Sequence, residues 1–194
     1  MTTQLVTDDE IVMTLEVDRY MSAPSPAERE LLKRVPSPVL DVGCGPGRHV
    51  LALLESGRLA LGVDVAPSAV GIALQRGAPV LLRSIFDRVP AAGRWASTLL
   101  LDGNIGIGGS PHALLARLAE LLRREGCVLA EVEAPGISTR ALRVRIESGG
   151  RVSPPFPWAR VGVDNIGGVA FRAGFRLEEI WSAEGRWFAH MKLR

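Results

Sequence analysis

The chain has 194 residues, of which 47% are hydrophobic and 23% are charged, and its formal net charge is +2. These values predict one globular domain, 1–194, and the small charge gives no case for nucleic acid as a partner. The two cysteines match no C-x-x-C pattern, the N-terminus lacks a signal pattern, and no apolar run approaches the ~20 residues of a membrane span. We therefore expect a cytoplasmic protein that does not contact a membrane.

The first predicted elements lie before residue 36. Residues 1–24 have mixed polarity and no sustained period, and we interpret them as an arm or short helix that lies over a site. The first firm helix begins at Ser25, with Pro26 in its first turn and Glu28 completing a capping box.

Strands and helices alternate over the middle of the chain, which predicts a mostly parallel sheet covered on both faces. The predicted strands are 39–42, 59–63, 79–83, 95–101 and 127–132, and the predicted helices are 48–56, 67–76 and one that begins at Ser110 and Pro111.

The last third breaks this alternation. Residues 141–147 alternate apolar and charged side chains, which predicts a strand with one exposed face, and the chain turns back after 148–150. The proline-rich stretch 154–158 is unsuited to a central strand. A short helix over 165–173, capped by Asp164, and a hairpin formed by 175–181 and 186–192 complete the chain.

The most informative motif is Val39-Leu-Asp-Val-Gly-Cys-Gly-Pro-Gly-Arg48, in which three glycines connect a predicted strand to a predicted helix. Glycine allows a sharp turn and lets a ligand approach the backbone. Asp41 adds a carboxylate near the end of the strand. Dinucleotide-binding loops have the pattern G-x-G-x-x-G, and Arg48 stands where the third glycine would be, which counts against a nicotinamide-dependent oxidoreductase.

This G-x-G-x-G loop, taken with Asp41, resembles the first motif of class I S-adenosylmethionine-dependent methyltransferases, in which the loop holds the amino-acid end of the cofactor. The resemblance covers about residues 25–135, with the expected closing hairpin at 175–192. It implies a methyltransferase with S-adenosyl-L-methionine as cofactor. It also implies an α/β, Rossmann-like, doubly wound and mostly parallel seven-stranded sheet with a C-terminal antiparallel hairpin, to which this chain adds a β-arm insertion, 136–161.

Two further motifs follow the order expected from the resemblance. Asp64 ends the second predicted strand, where the family uses a carboxylate to bind both ribose hydroxyls, and Val65 follows where an apolar side chain packs on the adenine. After the third strand, Asp87 and Phe86 fit the acidic residue and its apolar neighbour that contact the adenine. A plain loop aspartate beside a core phenylalanine would give the same pattern.

The glycine-rich segment Asp102-Gly-Asn-Ile-Gly-Ile-Gly-Gly109 follows the fourth strand, and in the family it faces both the departing methyl group and the acceptor. The sequence of this segment resembles that of a group of short actinobacterial methyltransferases of unassigned substrate. It departs from the Asn/Asp-Pro-Pro-Tyr/Phe signature of amino-directed nucleic-acid methyltransferases, which counts against adenine or cytosine as acceptor. Asn104 could equally be a turn residue in a left-handed conformation. Together, the predicted cofactor-binding residues are Asp41, Gly43, Cys44, Gly45, Gly47, Asp64, Val65, Phe86, Asp87, Asp102, Gly103 and Asn104.

Candidate catalytic residues are few. We single out His112, in the first turn of the helix after the fourth loop, and Asn104; His49 is weighed as a neighbour of the pocket and His190 as a surface residue. Methyl transfer from a sulfonium requires mainly alignment, so the lack of an obvious general base does not argue against catalysis. No metal is predicted, because the histidines and cysteines form no zinc set; a magnesium site from Asp102 with Glu131 or Glu133 stays open.

The acceptor pocket is expected from residues 1–24, the fourth loop and the insertion 136–161. Arginine and aromatic side chains can stack on planar rings or bind carboxylates and phosphates, so the predicted substrate residues are Tyr20, Arg140, Phe156, Trp158 and Arg160. A solvated β-arm or a homodimer contact would use the same side chains. The favoured function is methyl transfer to a small-molecule acceptor; the alternatives are a methyltransferase acting on RNA or protein and a non-catalytic S-adenosylmethionine-binding protein.

Overall fold

A computed structural model describes residues 3–194 of the chain, which form two sheets and their covering helices. In chain order the elements are β1 (Thr3–Thr7), β2 (Val12–Leu15), α1 (Val17–Met21), α2 (Pro26–Lys33), β3 (Val39–Val42), α3 (Arg48–Glu55), β4 (Ala60–Asp64), α4 (Pro67–Gln75), β5 (Val80–Leu82), β6 (Trp95–Leu100), a 3-10 helix (Asn104–Gly109), α5 (Pro111–Leu121), β7 (Leu122–Val132), β8 (Arg140–Ser148), β9 (Arg151–Val152), β10 (Phe156–Arg160), α6 (Val163–Arg172), β11 (Phe175–Ala183) and β12 (Arg186–Leu193).

The larger sheet has seven strands in the order β11-β12-β7-β6-β3-β4-β5. The strands from β7 to β5 are parallel, and β12 is antiparallel to both β7 and β11. The predicted fold is therefore confirmed, including the closing hairpin. Because the order changes direction between β3 and β6, the carboxyl ends of these two strands open a crevice of the kind in which such sheets bind ligands.

Helices cover both faces of this sheet, as the alternating pattern predicted. Leu31 of α2 and Leu53 of α3 pack with Val39 on one face, whereas Leu40 faces the opposite cluster. In this opposite cluster, the leucines of α5 pack together with residues of α6. The buried leucines of α5 are Leu114, Leu115, Leu118 and Leu121. This double covering explains why the central strands are apolar on both faces and do not alternate.

The smaller sheet corrects our interpretation of residues 1–24. Within the described residues, this segment is mostly a hairpin of β1 and β2, and only α1 is the short helix expected there. The strand β1 pairs with β8 of the insertion, which in turn pairs with β9 and β10, giving the order β10-β8-β1-β2. The second partner of β1, β8, is far away in sequence, so no local period could reveal that pairing.

Side-chain capping explains where α2 and α5 begin. Ser25 and Glu28 form the predicted capping box of α2, and the Ser110 hydroxyl accepts a hydrogen bond from the Ala113 amide at 3.3 Å. The predicted cap of α6 is wrong: Gly162 occupies that position, and Asp164 lies in the first turn. Its carboxylate accepts a hydrogen bond from the Gly136 amide at 2.7 Å, so it holds the preceding loop.

Proline restricts β10 as expected, since β10 lies at an edge of the smaller sheet rather than in its centre. Across residues 3–194, no helix is both long enough and apolar enough to cross a membrane.

Candidate functional site

The glycine loop forms an open turn at the carboxyl end of β3. Its three glycines, Gly43, Gly45 and Gly47, have φ angles of 70°, 52° and 81°, in the left-handed region that other residues rarely adopt. A Cβ added to Gly45 would find no heavy atom within 4 Å, whereas one added to Gly47 would lie 2.8 Å from the Ala78 side chain. Gly47 therefore serves helix packing, and the space above Gly45 is open to a ligand.

Asp64, at the end of β4, ties this loop to the neighbouring strand. One carboxylate oxygen accepts a hydrogen bond from the Gly45 amide and the other accepts one from the Ala66 amide, both at 2.8 Å. Each oxygen keeps a further lone pair, so the carboxylate can still accept hydrogen bonds from a ligand. Asp64 is half-buried at the edge of the crevice, where hydroxyl groups of a sugar could reach it.

Cys44 contributes its backbone rather than its thiol to the loop. The side chain is buried against Gly62, where an added Cβ would approach the sulfur to 2.4 Å. Burial raises the pKa of the thiol, so it stays protonated and unreactive.

Asn104 lies beneath the glycine loop and holds it in place. Its amide nitrogen donates hydrogen bonds to the carbonyl oxygens of Val42 and Gly43, both at 2.9 Å. The left-handed residues of this segment are Asp102 and Gly103, with φ angles of 56° and 80°, and Gly108 and Gly109, with φ angles of 77° and 74°. The alternative of a left-handed turn at Asn104 is therefore wrong, and its contacts are those of a residue that positions the loop.

Two apolar side chains are exposed along the crevice beyond Asp64. Val65 is 67% exposed and Phe86 is 44% exposed, which is unusual for side chains of this size next to a core. Asp87 is also exposed, and its carboxylate accepts a hydrogen bond from the Ser84 amide at 3.2 Å. These residues follow β4 and β5, so they can receive a planar base next to a sugar bound at Asp64.

Asp41 is buried on β3 below the loop, with 1% of its surface exposed. Burial raises its pKa to about 6, against the opposing effect of the nearby His49. One carboxylate oxygen has no hydrogen-bond partner among residues 3–194, and His49 Nδ1 lies 3.8 Å from it. An unsatisfied buried carboxylate oxygen beside an open loop fits a ligand that brings its own ammonium group.

A buried ionic cluster joins this crevice to the rest of the protein. We call Arg19, Glu28, Arg48, Asp102, Glu131 and Arg186 the arginine–carboxylate cluster. Arg48 binds Glu28 at 2.6 Å and Asp102 at 2.8 Å, although only 3% of the Arg48 side chain is exposed. Arg186 binds Glu131 through two nitrogens, at 2.8 and 2.5 Å, and Glu28 at 2.6 Å. Arg19 of α1 contacts Asp102 as well.

The charges of this cluster are maintained by mutual contact. Burial by itself would raise the pKa of Glu28, but His49, the Ser25 amide and Arg186 hold that pKa well below its usual range. Burial likewise opposes the charge of Arg186, yet hydrogen bonds and attraction from Glu131 and Glu28 raise its pKa. Glu28 therefore serves two purposes, since it also completes the capping box of α2.

A cavity of about 220 Å³ lies between the smaller sheet and the carboxyl ends of β6 and β7. Three of the predicted substrate residues line it: Tyr20 of α1 and Trp158 and Arg160 of β10. The other two do not reach the cavity. Arg140 forms an ion pair with Asp9 at 3.2 Å, and Phe156 packs edge-on against Trp158, with ring centroids 6.2 Å apart.

Several solved structures have a fold similar to that of this chain. One is a methyltransferase from Bacteroides fragilis, solved in complex with S-adenosyl-L-homocysteine. The superposition covers 100% of this chain and 88% of the Bacteroides chain, with a TM-score of 0.82 at 23% sequence identity. The chain has the class I methyltransferase fold. This confirms the resemblance inferred from the glycine loop at the level of the fold.

Other comparisons agree with the methyltransferase fold. The methyltransferase CcbJ from Streptomyces caelestis has a TM-score of 0.68 at 16% identity, with 91% of this chain and 94% of that chain covered. A 1,6-didemethyltoxoflavin-N1-methyltransferase from Burkholderia thailandensis was solved with bound 1,6-didemethyltoxoflavin and S-adenosylhomocysteine. It has a TM-score of 0.63 at 18% identity, and the superposition covers 86% of this chain and 75% of that chain.

Sequence comparison finds a match to only part of the chain. No family model matches the chain. A release factor glutamine methyltransferase from Rhodospirillum rubrum is 34% identical over 87 residues, which are 43% of this chain and 26% of that protein. The chain thus spans about a quarter of the curated relative that it matches.

His112, the histidine predicted to be catalytic, does not line the cavity, and neither do His49 and His190. His112 is exposed on α5, with Nε2 3.3 Å from the Arg172 carbonyl oxygen of α6. His49 is buried between Asp41 and Glu28, 3.8 Å from each. His190 is half-buried on β12 rather than at the surface, and burial lowers its pKa.

The glycines of the 3-10 helix have a packing role. A Cβ on Gly106 would lie 2.1 Å from the Ala159 carbonyl oxygen, and one on Gly109 would lie 2.9 Å from Pro157. These glycines therefore let β10 approach the larger sheet closely. Close packing at this point places Trp158 and Arg160 at the cavity.

The carboxylates considered for magnesium are engaged by arginines. Asp102 binds Arg48, Glu131 binds Arg186, and Glu133 accepts a hydrogen bond from Arg160 Nε at 2.8 Å. Within the described part of the chain, no three or more acidic, histidine or cysteine side chains are grouped as a metal site would require. Sequence analysis missed Arg19, Arg186 and the ionic role of Glu28, since isolated arginines and glutamates carry no motif.

Proposed function

We propose that this protein is an S-adenosylmethionine-dependent methyltransferase that methylates a small-molecule acceptor. The observation that carries the proposal is the open crevice above Gly45, tied to Asp64 and adjoining a separate cavity lined by Tyr20 and Trp158. A methyl donor and an acceptor need two such neighbouring sites. Solved proteins of the same fold hold S-adenosylhomocysteine or S-adenosylmethionine, which supports this cofactor.

The residues of the crevice suit the parts of S-adenosylmethionine in order. Gly43 and Gly45 would hold the amino-acid end, whose ammonium group could satisfy the free oxygen of Asp41. Asp64 would accept hydrogen bonds from the ribose. The exposed faces of Val65 and Phe86, with Asp87 beside them, would receive the adenine.

The chemistry assigned to the protein itself is alignment and desolvation. The bound cofactor supplies a methyl carbon that is already activated by its sulfonium. Asp102 and Gly103 line the cavity next to the crevice, so an acceptor there would approach the methyl group from the cavity. Orientation of this kind can contribute ~7–11 kcal/mol to lowering a barrier. The carboxylates of the cavity are engaged by arginines, and we assign none of them as a base.

A small acceptor agrees with the size and the charges of the cavity. Its volume of about 220 Å³ is below the roughly 300–1,000 Å³ of pockets for drug-sized ligands. Two of the arginines that motivated an RNA acceptor are paired within the protein: Arg140 with Asp9, and Arg145 with Glu147 at 2.7 Å. These ion pairs reduce the positive charge that the insertion offers to phosphates.

Calorimetric titration with S-adenosylhomocysteine, beside NADH, tests the cofactor. We expect binding of S-adenosylhomocysteine and none of NADH; the reverse result would overturn the proposal. Transfer of a labelled methyl group is then measured against separate metabolite, RNA and protein fractions. Label in the metabolite fraction is expected, whereas label confined to RNA or protein, or binding with no transfer to any fraction, would refute the small-molecule assignment.

A further inference from the structure

Resting on the proposed function, we infer that the acceptor is a planar ring compound that carries a carboxylate, with the carboxylate bound by Arg160 and the ring packed on Trp158. The carboxylate serves as the anchor and another atom of the ring compound receives the methyl group. Four groups that line the cavity support this assignment: an arginine, a tryptophan, a tyrosine and a set of carboxylates that are already neutralised.

Arg160 presents an unused guanidinium edge to the cavity. Its Nε donates to Glu133 Oε1 at 2.8 Å, which fixes the plane of the guanidinium. Among residues 3–194, neither terminal nitrogen of Arg160 has a hydrogen-bond partner in the protein. Two parallel N–H groups on one planar edge match the two oxygens of a carboxylate, which is the geometry that distinguishes arginine from lysine in anion binding.

Trp158 lies two residues before Arg160 on β10, so both side chains project from the same face of the strand. The indole is half-buried, and Phe156 packs against it edge-on at an interplanar angle of 87°, which holds its orientation. A flat, fixed aromatic surface next to a guanidinium favours a planar ring over a flexible aliphatic chain.

Tyr20 adds a third hydrogen-bond donor. It is the one tyrosine of the chain, it lines the cavity, and its hydroxyl has no partner in the described structure. Burial, together with the nearby charge of Asp102, raises the pKa of the phenol, so the hydroxyl keeps its proton and can donate. Trp158 Nε1 is likewise without an acceptor among residues 3–194, although it too lines the cavity.

The acidic side chains of the cavity do not oppose a bound anion. Both oxygens of Asp102 are held by Arg48, and both oxygens of Glu131 are held by Arg186. Glu133 has one oxygen on Arg160 and a single free oxygen. A cationic acceptor would therefore find one free carboxylate oxygen, whereas an anionic acceptor finds several unused N–H and O–H donors.

The test uses the full chain saturated with S-adenosylhomocysteine and compares matched probes by calorimetry. The probes are benzoate, nicotinate and indole-3-carboxylate, each paired with its amide, plus benzylamine as a cation. We expect at least one acid to bind about 10- to 100-fold more tightly than its amide, as for a hydrogen-bonded charged pair. Equal binding of every acid and its amide, or tighter binding of benzylamine, would overturn the inference.

Variants of the protein test whether Arg160 causes the preference for an acid over its amide. Arg160→Gln should remove the preference for the acid while the affinity for S-adenosylhomocysteine stays the same. Arg143→Gln is the matched control, because Arg143 is exposed on the adjacent β8 and does not line the cavity. If Arg160→Gln unfolds because it leaves Glu133 unpaired, the double variant with Glu133→Gln keeps the comparison. An unchanged acid preference in either variant would exclude Arg160 as the anchor.

The same titrations separate this inference from the proposed function. If the unmodified chain does not bind S-adenosylhomocysteine, the proposed function fails. If it binds S-adenosylhomocysteine and transfers methyl groups but does not discriminate acid from amide, only the carboxylate assignment fails.

Discussion

The cofactor crevice and the acceptor cavity are built in different ways. The crevice consists of short contiguous motifs at the ends of neighbouring parallel strands, and its shape depends on backbone: left-handed glycines and the two amides bound by Asp64. The cavity brings together Tyr20, Glu131 and Arg160 from distant parts of the chain, and charged side chains hold it. Backbone geometry leaves a motif in the sequence, whereas a cluster of side chains from separate elements leaves none.

The largest expected effect concerns the crevice alone. Gly45→Val should abolish binding of S-adenosylhomocysteine in calorimetry, because the branched side chain would fill the open space above the loop. Gly57→Val is the matched control: Gly57 follows α3, has a φ angle of 75° and also has no heavy atom within 4 Å of an added Cβ. Both variants place valine in a strained conformation.

The two glycine variants should therefore lose similar stability but differ in binding. A folded Gly45→Val protein with normal affinity for S-adenosylhomocysteine would mean that the loop does not hold the cofactor. If Gly57→Val alone lost binding of S-adenosylhomocysteine, the loop would again be excluded as the part that holds the cofactor.

The second prediction concerns the arginine–carboxylate cluster between the two regions. Arg48→Met should lower the free energy of unfolding by about 3 kcal/mol, because it breaks the buried ion pair with Glu28 and leaves Arg186 as the main charge partner of that carboxylate. Lys33→Met is the control: Lys33 and Glu30 are each 68% exposed, and such surface pairs contribute about 0–1 kcal/mol. Urea denaturation measures both. Equal losses for the two variants would mean that the cluster does not stabilise the fold.

These two regions also show how far the sequence can be interpreted. The glycine loop and Asp64 follow from local spacing and turn chemistry, whereas the seven-stranded sheet follows from the family resemblance that these motifs carry. The pairing of β1 with β8 and the contacts of Arg186 depend on tertiary contacts across most of the chain. His112 was selected for its position after the fourth loop, but the direction of its side chain depends on helix packing, which the spacing does not fix.

A pH prediction follows from Asp41, whose pKa is raised from 3.8 to about 6 in the folded protein. A carboxyl group with a raised folded pKa binds more protons when folded, so stability falls as the pH rises from about 4 to about 6. The fall amounts to on the order of 3 kcal/mol, since each pKa unit corresponds to about 1.4 kcal/mol. Asp41→Asn should remove this fall.

Urea denaturation of both proteins at pH 4.5 and pH 7.5, without ligand, provides the measurement. The Asn variant should gain stability relative to the original chain at the higher pH and much less at the lower pH. An identical pH dependence in the two proteins would show that Asp41 ionises normally in the fold.

The smallest expected effect concerns Asp64, whose carboxylate would bind the ligand and also holds the glycine loop. Asp64→Ala should weaken binding of S-adenosylhomocysteine by about 1–3 kcal/mol, because it removes a hydrogen-bonding partner of both the ligand and the loop. Asp64→Asn keeps one acceptor oxygen, so its affinity should lie between those of the original chain and Asp64→Ala. Asp87→Ala, at the exposed end of the next strand, should weaken binding less than Asp64→Ala. Unchanged affinity in Asp64→Ala would remove this carboxylate from the site and leave the glycine loop as its sole support.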